Sequence, residues 1–259
     1  MADYAFLLEE TAISGRARIV MTHADALIAR GHRVRIVTAG TPVAWRSSRA
    51  EWVYVDEMRQ FVASPDEQIV DAATLPMVVD DEVFRDRVAR EHDPLRVLLI
   101  GASQDESLAV DDGYGAVAHA RWFHQKVALV RVSPWAPSRE EPLESVQEFH
   151  VALTTAEMTR LMHSCDVVVA AGATLALSTA EAMASGLACV ITTPVAQQID
   201  YPLSAPHDNP VELGERLIEV VSDRALRSRL RLRGREIAER WRATGELSGA
   251  AGFSPPNVG

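Results

Sequence analysis

Apolar and polar positions along the chain follow the rhythm of alternating strands and helices. Residues 4–8, Tyr-Ala-Phe-Leu-Leu, form a short apolar run, and a polar loop from Glu9 to Gly15 leads into an amphipathic stretch, Arg16 to Arg30, that stops at Gly31. The β-branched run Val34 to Thr38 rises straight from that stop. Trp52 to Val55 predicts a third strand, so the chain opens as a βαβ unit. Between Asp56 and Ala73 the pattern thins to one short apolar stretch, and Asp81 to Arg90 predicts a helix that ends near His92-Asp93-Pro94.

A regular order begins at Leu95. It predicts strands at 95–100, 126–132, 147–152, 166–170 and 188–193, with helices near 107–124, 155–164, 178–185, 210–222 and 224–242. Near-continuous apolar strands such as Val167-Val168-Val169 belong to a parallel sheet covered on both faces. The expected class is α/β with two Rossmann-like domains. The first, 1–92, is shortened, since a βαβ unit takes about 30 residues or more. The second, 93–242, is complete, and the Gly/Ser/Pro-rich stretch 243–259 is expected to be a disordered tail.

With 259 residues and 47% hydrophobic content, the chain can bury the cores this plan needs. Its 26 basic against 36 acidic residues leave a net charge of −10, which argues against a nucleic-acid partner and for a small ligand. The same charge slows the approach of an anion, so a site for a phosphorylated ligand must supply local positive dipoles. Cys165 and Cys189 adjoin apolar runs without metal or redox spacing and read as small buried hydrophobes, as in a reducing cytoplasm. The chain starts without a basic segment and apolar core, and no run approaches the ~18 apolar residues of a membrane span, so neither export nor membrane integration is expected. Arg224 to Arg242 holds eight Arg interleaved with Leu226, Leu230, Ile237 and Trp241. Such a stripe can rest on anionic lipid as a peripheral contact, but packing of its apolar side on its own domain is the favoured reading.

In open parallel sheets, ligands bind beyond the carboxyl ends of the strands, where a loop enters a helix and unpaired N–H groups face an anion. Three loops qualify: Glu9 to Gly15, Gly101 to Asp111, and Ala171 to Leu177. None spells Gly-x-Gly-x-x-Gly or the Walker loop, so neither a nicotinamide enzyme nor an ATP fingerprint is expected, and no resident cofactor or metal is called for. Gly-x-Ser-x-Gly is missing, which leaves an α/β-hydrolase triad without an anchor. His119 and His124 stand five apart on a predicted helix, hence on different faces, and read as structural. Asp111-Asp112 and Glu140-Glu141 read as solvated surface. Glu181, in the first turn of the helix after the third loop, has two equal readings. Its carboxylate can accept from a ribose diol while backbone N–H groups face a diphosphate, or Ser178-Thr179-Ala180-Glu181 is a capping box. Thr154-Thr155-Ala156-Glu157 spells the same box, and there capping is favoured.

The segment Glu157-Met-Thr-Arg-Leu-Met-His-Ser-Cys-Asp-Val-Val-Val169, followed by Glu181-Ala-Met-Ala-Ser-Gly186 and Ala188-Cys-Val-Ile-Thr-Thr193, resembles the family-four retaining glycosyltransferases of the GT-B type. The likeness continues through Asp208-Asn-Pro-Val-Glu-Leu213 and Arg224-Ala-Leu-Arg227 and includes Leu95 to Gly101. At the start, Ser14-Gly15 before a helix and Arg30-Gly-His-Arg-Val-Arg-Ile-Val-Thr38 are similar to the family's glycine loop and second strand. In that family two Rossmann domains hold a nucleoside-diphosphate sugar, mostly with the C-terminal one. The resemblance therefore implies transfer of a sugar from such a donor to an acceptor. It places Thr174, Ser178, Thr179 and Glu181 around the ribose and diphosphate, Ser103 and Gln104 on the opposite wall, and Gly15 in the N-terminal glycine loop.

The chain departs from the family at chemically important positions. The signature's donor-sugar Glu, eight positions before the one matched by Glu181, is Ala173 here, and the following Gly-Phe-Gly reads Thr174-Leu175-Ala176. The family's phosphate-binding Arg and Lys have no counterpart in the loop from Gly101 to Val110, where Leu108 stands about where the Lys would be. The family's further strands, helices and catalytic-site His between about 60 and 75 have no match in this chain. These departures are also what a non-catalytic relative that binds a nucleotide or a partner protein would carry, and that is the alternative. A nucleotide-sugar epimerase on the same double-Rossmann plan is a third class; it needs acid/base groups that the sequence does not identify.

Overall fold

A computed structural model describes residues 1–9, 11–12, 14–80, 83–85, 91–102, 109–123 and 125–242. The chain is an α/β protein of two compact units, the first running from Met1 to Asp80 and joined by Arg242, the second from Asp81 to Trp241. The predicted helix at 81–90, apart from residues 83–85, and the predicted tail at 243–259 lie outside the described residues.

The first unit is a four-stranded parallel sheet in the order β3-β2-β1-β4, built from β1 (Asp3–Leu7), β2 (Arg33–Thr38), β3 (Glu51–Tyr54) and β4 (Glu67–Asp71). Helix α1 (Gly15–Ala29) crosses from β1 to β2, with Ser14 as its N-cap, accepting from the Ala17 N–H at 3.2 Å. Gly31, at φ 85, turns the chain out of this helix in a conformation costly for any other residue. The fourth strand is an addition to the three expected from the sequence. Glu67-Gln-Ile-Val-Asp71 carries only two apolar residues, because it lies at the sheet edge and pairs with β1 alone.

Alternation gives this sheet two unlike faces. Phe6, Val34 and Ile36 share one and are buried, whereas the other carries ion pairs, Arg33 with Asp3 and Arg35 with Glu67, the latter guanidinium lying 5.3 Å from the Phe61 ring. Among the described residues of this unit, α1 is the one helix longer than a single turn. Its His23 is 5% exposed and donates from Nε2 to the Pro76 carbonyl at 3.1 Å. Burial lowers its pKa below the ordinary 6.5 and outweighs the opposing hydrogen bond. The unfolded chain therefore takes up a proton at a pH where the folded ring stays neutral. The stability this supplies is full above pH 6.5 and declines as pH falls below it. Urea unfolding between pH 7.5 and 5.5 should show a steeper loss for the natural protein than for His23→Gln, and parallel curves would refute this role.

The second unit is a six-stranded parallel sheet in the order β10-β9-β8-β5-β6-β7. Its strands are β5 (Leu95–Ile100), β6 (Val127–Ser133), β7 (Glu148–Val151), β8 (Val167–Ala170), β9 (Ala188–Thr192) and β10 (Ser204–Ala205). The helices are α2 (Val110–Trp122), α3 (Thr155–Met162), α4 (Leu177–Ala184), α5 (Thr193–Ile199), α6 (Pro210–Ser222) and α7 (Arg224–Ala238). The short β10 and α5 add to the predicted set. Strands β6, β8 and β9 are almost wholly buried, and β5 is buried at Val97 to Leu99, as runs covered on both sides must be. Cys165 and Cys189 are buried beside β8 and in β9, and desolvation pushes both thiols up to about 12.

Helices α2 and α6 pack closely because glycine lies at the contact. A Cβ built on Gly214 would come within 2.7 Å of His119 Cβ, and one on Gly115 within 2.7 Å of Pro210 Cβ. His119 itself pairs with Glu215 across this seam at 2.6 Å, the structural role expected of it, while His124 lies outside the described residues. Gly214→Ala should destabilise the fold by about 1–3 kcal/mol through overpacking, read as a drop in melting temperature. An unchanged melting temperature would show that the seam can yield.

Thr154 caps α3 in a full capping box with Glu157, as expected. The basic helix α7 turns Leu230 and Ile237 into the core. Its Arg227 and Arg231 pair with Glu91, and its Arg233 pairs with Asp200 and Glu236. Among the described residues no helix is long and apolar enough to cross a membrane.

Candidate functional site

In the second sheet the chain leaves β5 toward β6 on one side and returns to β8 on the other, so the order of connection reverses between β5 and β8. Ligands of open α/β sheets bind beyond the carboxyl ends of the strands at such a switch point. The structure has a hollow there, lined by Ile100 from the end of β5, Val168 to Ala170 of β8, and Gly172, Thr174, Ala176, Ser178 and Thr179 from the loop and helix that follow. Its enclosed volume, ≈ 20 Å³, holds one water, so a larger ligand seats on its rim.

The loop from β8 to α4 is held in shape by the Thr192 hydroxyl, which donates to the Gly172 carbonyl at 2.7 Å. Helix α4 starts at Leu177 with Ala176 as its N-cap, and no side chain caps it. The first-turn amides of Leu177 and Ser178 therefore stand outside the helix's own ladder, at the positive end of its dipole. Thr174, Ser178 and Thr179, three of the residues singled out from the sequence, meet around this hollow.

Glu181 is placed differently from the expectation. The helix begins before Ser178, so Ser178 is a helical residue, the capping box at 178–181 does not form, and Glu181 falls in the second turn rather than the first. It is 2% exposed and does not line the hollow. Ser103 and Gln104 lie outside the described residues. Gly15, in the first unit, is the first residue of α1, and the neighbouring cation Arg16 is spent on the carbonyls of Ala72 and Leu75.

Of the pair Glu140-Glu141, read from sequence as solvated surface, Glu140 is exposed as expected but Glu141 is not. Glu141 is buried and pairs with Arg131, which sits in the middle of β6 without exposure. Their ten-residue separation spans the turn after β6, so neither local pattern nor composition revealed the pairing. Asp111 and Asp112 do stand in the first turn of α2, with Asp111 exposed. Burial, followed by the nearby Asp208, raises the Asp112 carboxyl. Among the described residues, no group of three or more His, Cys, Asp or Glu is placed to hold a metal ion.

No protein-family model and no curated protein matches the sequence. Solved structures do match the fold. The chain is similar to WaaG, a glycosyltransferase involved in lipopolysaccharide biosynthesis, at 15% identity over 96% of this chain and 98% of that one, with a TM-score of 0.66. It is similar to an alpha-glucosyltransferase in complex with UDP and a 13-mer DNA, at 12% identity, 96% and 98% coverage and a TM-score of 0.68. It is likewise similar to Anabaena Alr3699/HepE in complex with UDP and glucose, at 10% identity, 94% and 96% coverage and a TM-score of 0.61. With its two parallel sheets, the first the smaller, the chain has the fold of the two-domain, GT-B type glycosyltransferases.

Proposed function

We propose that this protein is a retaining glycosyltransferase, similar to family four, that transfers a sugar from a nucleoside diphosphate to an acceptor. The observation that carries the reading is the hollow at the switch point between β5 and β8, rimmed by the uncapped start of α4 and three hydroxyl side chains. Two of the fold's neighbours are in complex with UDP.

The diphosphate would seat against the amides of Leu177 and Ser178 and the hydroxyls of Thr174, Ser178 and Thr179. Oriented donors of this kind stabilise the charge that grows on a departing diphosphate without reorganising during the reaction. They also meet the need for local positive dipoles on a chain of net charge −10. In this reading Ser103 and Gln104 take part in holding the donor and Gly15 belongs to the acceptor-side glycine loop, whereas Glu181, buried in the second turn of α4, contacts the ribose only if the ligand seats deeper than the rim. Departure needs no resident metal or organic cofactor in this reading. The acidic balance argues against a nucleic-acid acceptor.

A second reading, a relative that binds a nucleotide or partner without turnover, is favoured by Ala173 at the place of the family's sugar-contacting Glu. Calorimetric titration with UDP, GDP and their sugars, followed by an assay for donor hydrolysis, separates the two. Release of nucleoside diphosphate supports transfer, and binding without release supports the second reading. A folded protein that binds none of these ligands defeats both.

A further inference from the structure

Among the described residues Arg131 is the largest of the fully buried side chains, 0% exposed and opposite Leu99 of β5 in the sheet register. Its Nε donates to Glu141 Oε1 at 2.8 Å, and the Tyr114 hydroxyl of α2 donates to the same oxygen at 2.8 Å. Its NH1 donates to the carbonyl of Gly101 at 2.7 Å and to that of Val132. The rings of Tyr114 and of Phe149 in β7 lie 5.9 and 5.7 Å from the guanidinium carbon. Burial, then the bond to Glu141, raises the Tyr114 phenol well above its usual value, so it remains a donor at neutral pH.

An apolar residue would fill this strand position without the desolvation cost of two charges. What an apolar residue cannot do is grip a carbonyl. Gly101, at φ 149, is the residue through which the chain leaves β5, and the backbone there is open to glycine alone at low cost. The peptide that follows is planar and trans, so a carbonyl drawn toward Arg131 turns the Ala102 N–H the opposite way. Ile100, one residue earlier, lines the hollow at the switch point.

We infer that Arg131, held in place by Glu141 and Tyr114, is a positioning residue that fixes the Gly101 carbonyl and thereby aims the amide with which the loop after β5 begins, on the side where a diphosphate donor is read to bind. The inference rests on that reading of the site. Arg131 acts through the backbone and not by touching the ligand, since its guanidinium has no exposure.

The test compares the full-length protein with Arg131→Met, Arg131→Lys and Tyr114→Phe, using UDP as the titrant and the Ala102 amide resonance as a ligand-free reading. In Arg131→Met the amide should shift, and UDP affinity should fall about tenfold at a temperature where the variant is folded. Arg131→Lys, whose ammonium can still donate to the Gly101 carbonyl, should return the amide and restore affinity to within about threefold, even if its melting temperature falls. Should Arg131→Met fail to fold, Tyr114→Phe, which loosens Glu141, should show the same shift in smaller measure. An amide that stays put in these variants, an amide that moves with UDP affinity unchanged, or a Lys variant no better than Met overturns the inference. Natural protein that binds neither UDP nor GDP overturns the donor reading instead, and the amide comparison still decides whether Arg131 sets the backbone.

Discussion

Ser178→Asp should abolish binding of a nucleoside diphosphate while leaving the fold as stable as before or slightly more so. Ser178 is the second residue of α4 and lines the hollow at the switch point. A carboxylate in the first turn of a helix gains about 0.3–1 kcal/mol from the dipole. The same carboxylate about 4 Å from a phosphate oxygen, at an effective dielectric of about 20, costs about 4 kcal/mol, or roughly a thousandfold in affinity. Stability and affinity thus move in opposite directions, a pattern that general damage to the fold cannot give. Ser178→Asn keeps the size without the charge and should bind within a few-fold of the natural protein. Calorimetric titration with UDP, paired with thermal melts, reads both quantities. Natural affinity in Ser178→Asp would remove the start of α4 from the site.

Asp166→Ala should destabilise the second unit by about 3–5 kcal/mol, the usual cost of removing one partner from a buried charge pair. Asp166 is 0% exposed and lies just before β8. Its carboxylate accepts from the Arg96 N–H at 2.8 Å and from His92 Nδ1 at 3.1 Å, with the Arg231 guanidinium of α7 3.6 Å away. Truncation strands a backbone donor at the start of β5 and takes from Arg231 one of the two carboxylates, Asp166 and Glu91, that it pairs with. For a unit of this size the loss corresponds to a melting temperature lower by about 10 °C. A loss under 2 °C would show that water or Glu91 takes over both roles.

Legibility in the sequence followed the range of the interactions involved. The apolar runs of β5, β6, β8 and β9, the glycine stop at Gly31 and the capping box at Thr154 are local patterns, and the structure has each of them. Strand β4 was hidden because an edge strand with one partner needs few apolar residues. Helix α4 starts at Leu177, one residue before the expected 178, because Ser178 looks like a helix start whereas the N-cap is Ala176, which has no side-chain oxygen to advertise it. That shift moved Glu181 into the second turn, yet it brought the first-turn amides to the hollow beside Thr174, Ser178 and Thr179. The Arg131–Glu141 pair could not be read at all. An Arg in an apolar strand and a Glu in a charged loop acquire their meaning only when the turn after β6 brings them together.

The central claim is that a phosphorylated ligand is held at the carboxyl end of the second sheet, between β5 and β8. A crystal structure of the full chain with UDP tests it most directly. The diphosphate should lie within hydrogen-bond distance of the Ser178 amide and of at least one of the Thr174, Ser178 and Thr179 hydroxyls. A nucleotide bound elsewhere, with the start of α4 untouched, would contradict the account.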